Sequence, residues 1–141
     1  MANIDLICAC CRKGFKASPN SLYCSIRCRK KVGKDRENFK EHIKGLETFL
    51  TAEIEALDSL DYNEVRKMRA KQQMFIHKID CLHDIPAIRN DWKLEIQWES
   101  LVDRATSLKR KEPRLTVSVT CLWERYNEIK ENPRKLPLDL P

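Results

Sequence analysis

The longest regular hydrophobic pattern in the chain lies in residues 39–60, which read FKEHIKGLETFLTAEIEALDSL. Positions spaced alternately by four and three residues share one side of a helix, as in the seam of a coiled coil. Here those positions are Phe39, Ile43, Leu46, Leu50, Glu53, Leu57 and Leu60. Gly45 lies inside the pattern and costs about 1 kcal/mol relative to alanine, which so long a helix tolerates. The stretch therefore predicts a long amphipathic helix.

A second run with the same stepping follows after residues 58–63. Its seam positions are Val65, Met68, Gln72, Phe75, Ile79 and Leu82. Asp61 followed by Glu64 is similar to a capping box and indicates where this helix begins. Pro86 disfavours helix at Ile85 and so ends the run. Two such helices joined by a short link predict an antiparallel hairpin, which needs a third element or a second copy to cover its hydrophobic stripe.

The segment after the hairpin is ambiguous. Residues 87–110 fit a third helix, but they also fit a strand, because apolar residues alternate at Trp92, Leu94, Ile96 and Trp98. We favour the helix because of the length of the pattern. Residues 115–119 alternate and include β-branched residues, which predicts a short strand, and Thr120 is a candidate cap for a last helix. Residues 131–141 contain three prolines and are interpreted as a loose tail.

Cysteine and positive charge are concentrated at the start of the chain. The 141 residues carry a net charge of +6, and residues 1–34 alone hold eight Lys and Arg against one acid, Asp5. The same residues contain five of the seven cysteines, Cys8, Cys10, Cys11, Cys24 and Cys28. We call residues 1–34 the cysteine module and predict a separate helical body at 35–130.

Four of these cysteines have the spacing of a metal site. Cys8 and Cys11 are spaced C-x2-C, Cys24 and Cys28 are spaced C-x3-C, and twelve residues separate the pairs. Two close pairs supply the four tetrahedral ligands of a closed structural Zn²⁺ site without a large core. The odd number of cysteines argues against a disulfide framework. We predict one structural zinc ion and leave Cys10 as a free thiol or an alternative ligand.

The cysteine module resembles a short treble-clef-type zinc finger over residues 6–32. The resemblance rests on CACCRKGF at residues 8–15 and on LYCSIRCR at residues 22–29. It is similar to MYM/FCS-type fingers, to the small zinc proteins that inhibit DNA gyrase, and to fingers associated with phage and bacterial HNH-type nucleases. It implies that the four cysteines are the ligands and that Phe15 and Tyr23 pack a small core. One departure is Arg12, where such fingers often carry glycine.

The basic residues of the cysteine module are candidates for phosphate contacts. They are Arg12, Lys13, Lys16, Arg27, Arg29, Lys30, Lys31 and Lys34. Ser25 is a candidate N-cap, and in a helix that follows it Arg27, Lys30, Lys31 and Lys34 share one face. Four thiolates on Zn²⁺ leave the module with a charge of about +5, which suits a nucleic acid. A solvated face or an acidic protein partner is the alternative.

The other candidate sites have weaker support from the sequence than the four-cysteine site has. His77, Cys81 and His83 lie at one helix end, and His77 and Cys81, spaced by four residues, could share a metal that only a distant Cys121 would help to complete. We therefore interpret them as core or surface residues. The basic cluster at residues 109–111 is interpreted as a solvated loop, and the tryptophans as core. No catalytic set, H-E-x-x-H motif, signal peptide or membrane-spanning run emerges. We therefore expect a cytoplasmic protein that is not an enzyme.

The sequence thus predicts a mainly α protein, in which a four-cysteine zinc finger precedes a helical hairpin and further helices, with one or two short strands. We expect a small regulatory protein that binds nucleic acid, most simply DNA, and whose helical body supplies either a homodimer interface or a surface for a partner protein. The alternative is a protein-binding regulator or inhibitor of a host enzyme, of the kind that a phage encodes. An accessory subunit of a nuclease or packaging machine is a third hypothesis.

Overall fold

The computed structural model describes residues 3–115, which form a mainly α structure. In chain order its elements are β1 (Ile4–Ile7), β2 (Gly14–Ala17), α1 (Ile26–Asp58), α2 (Tyr62–His83), α3 (Pro86–Arg89) and α4 (Trp92–Lys111). The predicted fold class, with a four-cysteine cluster at the start and a helical hairpin after it, is confirmed. None of the helices in the described part of the chain is long and apolar enough to cross a bilayer.

The two strands form an antiparallel ribbon that precedes the helices. Ile4 pairs with Ala17 and Ile7 pairs with Gly14, so β1 and β2 are in register along their whole length. The turn between them, residues 8–13, begins directly after the last residue of β1. This ribbon therefore holds the first two cysteines of the predicted metal site in a short, backbone-bonded loop.

Helix α1 connects the cysteine module to the helical body without a break. Its N-cap is Ser25, whose hydroxyl accepts a hydrogen bond from the backbone N–H of Cys28 at 3.2 Å, as the sequence predicts. The helix continues for 33 residues to Asp58. Residues 34 and 35 therefore lie inside one helix, and the division of the chain at that point stays a prediction.

The link between α1 and α2 is shorter than the predicted connection over 58–63, because only residues 59–61 lie outside the two helices. Leu60 has a left-handed backbone, with φ 57°. Its N–H bonds to the Leu57 carbonyl at 3.1 Å, and the Asp61 N–H bonds to the Ala56 carbonyl at 3.0 Å. This is a Schellman motif, which usually has glycine at the left-handed position. The chain has left the helix here, so the prediction that Leu60 belongs to the seam is wrong: its side chain is 64% exposed.

The remaining seam positions of the hairpin face each other as predicted. Phe39, Ile43, Leu46, Leu50 and Leu57 of α1 are buried. On α2, Asp61 caps the helix by accepting a hydrogen bond from the N–H of Glu64 at 3.2 Å. The two polar seam residues, Glu53 and Gln72, are fully buried between the helices.

Residues 87–110 are helical, so the helix is confirmed over the strand, but the segment is divided in two. Asn90 and Asp91 separate α3 from α4. The Asp91 carboxylate accepts hydrogen bonds from the N–H groups of Lys93 and Leu94 and caps α4. It also pairs with Arg36 Nε of α1 at 3.0 Å. One carboxylate thus starts α4 and ties it to α1.

The main core lies where α4 packs on the hairpin. Its buried members are Phe39, Ile43, Leu46, Leu50, Ile79, Ile88, Leu94, Trp98, Leu101, Val102 and Ala105. Trp98 is in this core, whereas Trp92 is 64% exposed, so its assignment to the core is wrong. Thr116 to Val119 of the predicted strand, the last helix, Trp123, Cys121 and the tail lie outside the described residues.

Candidate metal centre

Four cysteine sulfurs meet between the strand turn and the start of α1. The Sγ atoms of Cys8, Cys11, Cys24 and Cys28 all lie within 4.8 Å of one another. Cys24 Sγ is 3.6 Å from the sulfurs of both Cys11 and Cys28. A tetrahedral ion with Zn–S bonds of about 2.3 Å separates its sulfurs by about 3.8 Å. The cluster therefore has the donor set and the dimensions for one metal ion, on the four residues that the sequence predicts.

The first cysteine pair is shaped by a tight backbone turn. The Cys8 N–H bonds to the Lys13 carbonyl at 2.9 Å, and the Cys8 carbonyl accepts from the Arg12 N–H at 3.0 Å. Arg12 has a left-handed backbone, with φ 66°. Glycine adopts this conformation most easily, since it has no Cβ to strain it. In this chain arginine stands at that position.

The second cysteine pair is placed by the start of α1. Cys24 directly precedes the N-cap, and its backbone N–H donates to Cys8 Sγ at 3.3 Å. Cys28 lies in the first turn of α1, so the cap that begins the helix also aims its sulfur at the cluster. The Ala9 N–H bonds to the Leu22 carbonyl at 2.8 Å and joins the two pairs through the backbone.

The surroundings of the cluster shift the pKa values of Cys8 and Cys24 in opposite directions. Burial raises the pKa of Cys8, but backbone N–H groups of Cys11, Cys24 and Cys10 outweigh it and lower that pKa to about 6. The Cys28 and Cys11 sulfurs raise the pKa of Cys24 to about 12. Thiolates crowded in this way repel one another, and a divalent cation removes the repulsion when it displaces their protons.

Cys10 is not one of the four cysteines of the cluster. It is half-buried beside the cluster, where burial, followed by the Cys28 sulfur, raises its pKa to about 11. The group of sulfurs that lie within 4.8 Å of one another does not include its sulfur. Of the two predicted roles, that of a free thiol therefore fits its position.

The cysteine turn is attached to the helical body by two hydrogen bonds. The Ala87 N–H of α3 donates to the Ala9 carbonyl at 3.0 Å. The Arg12 guanidinium donates through Nη2 to the Asp84 carbonyl at the end of α2. Arg12, which the sequence offers as a candidate for phosphate contacts, is thus half-buried and bonded within the chain. Nothing in the sequence separated it from the other basic residues except the glycine expected in its place.

The other basic candidates lie on the surface of the cysteine module. Lys31 is exposed and pairs with the Asp35 carboxylate at 2.6 Å, an interaction that raises the pKa of Lys31. The rest are exposed, namely Lys13, Lys16, Arg27, Arg29, Lys30 and Lys34. Phe15 and Tyr23, which the resemblance assigns to a small core, are half-buried.

No family model, curated protein or solved structure matches this chain. The zinc-finger resemblance therefore rests on the cysteine spacing and on the geometry of the cluster. What the geometry supports is a metal-binding module of four cysteines joined to a helical body.

Proposed function

We propose that the chain is a small zinc-finger protein without enzymatic activity, which binds nucleic acid, most simply DNA, through its cysteine module in a regulatory role. The proposed ion is Zn²⁺, because a closed set of four thiolates is its usual structural site. Such a site leaves no open position for a substrate. The ion would stabilise the module, which has few buried apolar side chains of its own, by an amount on the order of 10–16 kcal/mol.

The observation that carries this proposal is the exposed basic surface beside the cysteine cluster. Residues 26–34 form the first turns of α1 and contain five Lys and Arg and no acid. Arg27, Lys30 and Lys34 are exposed on this segment, and Lys13 and Lys16 are exposed on the strand ribbon and its turn. The N-terminal end of a helix also carries a partial positive charge. Phosphate oxygens are the groups that this combination attracts.

Gly33 adds to the argument because it opens the same surface. It is exposed between Lys30 and Lys34, and a Cβ placed on it would meet nothing within 4 Å. Glycine in the middle of a helix costs about 1 kcal/mol relative to alanine, and packing within the described residues does not require it. An open backbone between two lysines lets a phosphate approach α1 closely.

The test is a mobility shift of a short DNA duplex by the zinc-loaded full chain over a series of salt concentrations. The variant Arg27→Gln/Lys30→Gln/Lys34→Gln should bind more weakly, and its salt slope should fall by about 0.9 for each phosphate that it no longer neutralises. The matched control is Arg66→Gln/Lys71→Gln/Arg110→Gln, which removes the same charge from exposed positions of the body. Binding by the control should fall far less. An equal decrease in both variants, or no shift of duplex or single strands at low salt, would contradict the proposal.

A protein partner is the second candidate, favoured by exposed aliphatic side chains at the cluster. Leu22 is 62% exposed and Ile26 is 71% exposed, on either side of Cys24. Large apolar side chains grouped on a surface often mark a protein interface. In this case Leu22→Ser/Ile26→Ser should abolish capture of the partner from the native host while the mobility shift persists. This function would be that of a regulator or inhibitor of the captured protein.

A further inference from the structure

A second pair of metal ligands lies on α2, away from the cysteine cluster. His77 Nε2 is 3.7 Å from Cys81 Sγ, and both side chains are exposed. A tetrahedral Zn²⁺ with bonds of about 2.0–2.1 Å to nitrogen and 2.3 Å to sulfur separates those two atoms by about 3.6 Å. The pair is therefore already spaced as two ligands of one ion.

This pair is incomplete within residues 3–115. In that part of the chain the only group of three or more His, Cys, Asp or Glu with metal-ligand geometry is the cysteine quartet. Zinc held in a structural site takes four protein ligands. His77 and Cys81 supply two of them, so two further ligands must come from outside the described chain. A second copy related by a two-fold axis supplies the same two again.

The surface around the pair is suited to a second helix. Four exposed, uncharged side chains follow one another at steps of four, three and four along α2, and they are Ala70, Met74, His77 and Cys81. This stripe lies on the side of α2 opposite to the buried Val65, Gln72 and Ile79. The same stepping forms the seam of paired helices. The α2 helix thus has one seam toward α1 and a second, uncovered by any described residue.

We propose that His77 and Cys81 form half of a second zinc site, which a second copy of this chain completes as a two-Cys, two-His site between paired α2 helices. On binding, Cys81 releases its thiol proton to solvent, and each imidazole binds through the neutral nitrogen Nε2. The inference does not depend on nucleic-acid binding. It specifies a surface and a metal for a homodimer, which is one of the two roles that the sequence predicts for the helical body.

The test measures mass and bound zinc together on the full chain with its cysteine cluster loaded. Sedimentation and elemental analysis are performed before and after titration with Zn²⁺ alone. We expect a monomer with about one zinc per chain to become a dimer with about 1.5. Cys81→Ser and His77→Ala should each weaken this second binding by more than about 100-fold, since even changes around a ligand cost about 10–100-fold. Both variants should keep the first ion and the helical circular dichroism.

Three other results would overturn the proposal. They are a second ion bound at one per chain by a monomer, a zinc-dependent dimer that survives Cys81→Ser, and loss of the second ion in Cys121→Ser. The matched control is Lys78→Ala, which changes an exposed residue between the two ligands. It should behave as the parent chain does. A failure of the DNA mobility shift has no bearing on these outcomes, so the two proposals fail separately.

Discussion

Gln72 Nε2 of α2 donates a 2.8 Å hydrogen bond to Glu53 Oε1 of α1, in the interior of the hairpin. The same amide donates to the Phe49 carbonyl at 3.0 Å, and Glu53 Oε2 lies 3.4 Å from Arg69 Nε. Glu53 and Gln72 are each the polar exception in an otherwise apolar seam. Because a buried polar group needs its partner, this pair penalises any sliding of one helix along the other. The hairpin register is set here.

Replacing one member of this pair should destabilise the protein. Gln72→Leu leaves Glu53 Oε1 buried without its donor, and we expect the free energy of unfolding to fall by about 1–3 kcal/mol. The double variant Glu53→Leu/Gln72→Leu should recover much of that decrease, because it buries no unpaired polar group at this place. Urea denaturation measures both. A single variant as stable as the parent chain would contradict the assigned role.

Two glycines of α1 should respond to alanine in opposite ways. A Cβ on Gly45 would lie 2.6 Å from the Phe75 ring, whereas one on Gly33 would meet nothing within 4 Å. Gly33→Ala should therefore raise the free energy of unfolding by about 1 kcal/mol through helix propensity alone. Gly45→Ala should forfeit that gain and lower stability by about 1–3 kcal/mol, as overpacked cores do. Thermal unfolding of the two variants side by side tests the close approach of α1 and α2.

Leu60 occupies a backbone conformation that glycine adopts more easily. Leu60→Gly should stabilise the protein by about 1 kcal/mol, since φ is 57° and the side chain is exposed. The control Leu60→Ala removes the same exposed side chain but keeps the Cβ, so it should change stability little. Urea denaturation compares them. Equal effects of glycine and alanine would mean that the left-handed turn is not the source of the gain.

Removal of the metal should affect the cysteine module more than the helical body. Cys11→Ser and Cys24→Ser should each lose the bound ion, measured by elemental analysis, whereas Cys10→Ser should retain it. Binding requires deprotonated sulfurs, so the affinity should fall as the pH falls. Far-UV circular dichroism should stay mainly helical after chelation, because the core of α1, α2 and α4 contains none of the four ligands. A Cys10→Ser variant without metal would redefine the ligand set.

Stability should also decline in mild acid because of His83. Burial, and then the charge of Arg89, lower the pKa of His83 below 6.5. A base with a depressed pKa in the folded state is neutral there while the unfolded chain takes up a proton. The stability that neutral His83 contributes is therefore complete above about pH 6.5. It is lost as the pH falls toward the pKa of His83 in the folded state. The decrease in unfolding free energy between about pH 7 and pH 5 should be smaller in His83→Gln.

Local patterns in the sequence predicted most of the metal cluster and most of the hairpin. Ligand spacing is a local property, so Cys8, Cys11, Cys24 and Cys28 could be chosen before their sulfurs were seen to meet. The same holds for the caps at Ser25 and Asp61, whose hydrogen bonds reach only three residues along the chain. The heptad stepping of α1 failed only at Leu60, where the backbone turn ends the helix before the pattern does.

Interactions between distant residues could not be predicted in this way. Arg12 has the positive charge of a residue that binds phosphate, but in the fold its side chain bonds to the Asp84 carbonyl, 72 positions away in the sequence. Trp92 and Trp98 both belong to the apolar alternation of residues 92–98, and only the packing of α4 on the hairpin determines that Trp92 is exposed and Trp98 is buried.

The sequence by itself determined the features whose signals are local, namely the four clustered cysteines, the helix starts and the apolar seams. Only the tertiary structure decided which groups meet across those elements: Glu53 with Gln72, Arg36 with Asp91, and Gly45 with the Phe75 ring. The physical reason is the distance along the chain over which each kind of interaction acts. Spacing and capping act within a few residues, whereas register, burial and the use of a charged side chain depend on which distant surface packs against it.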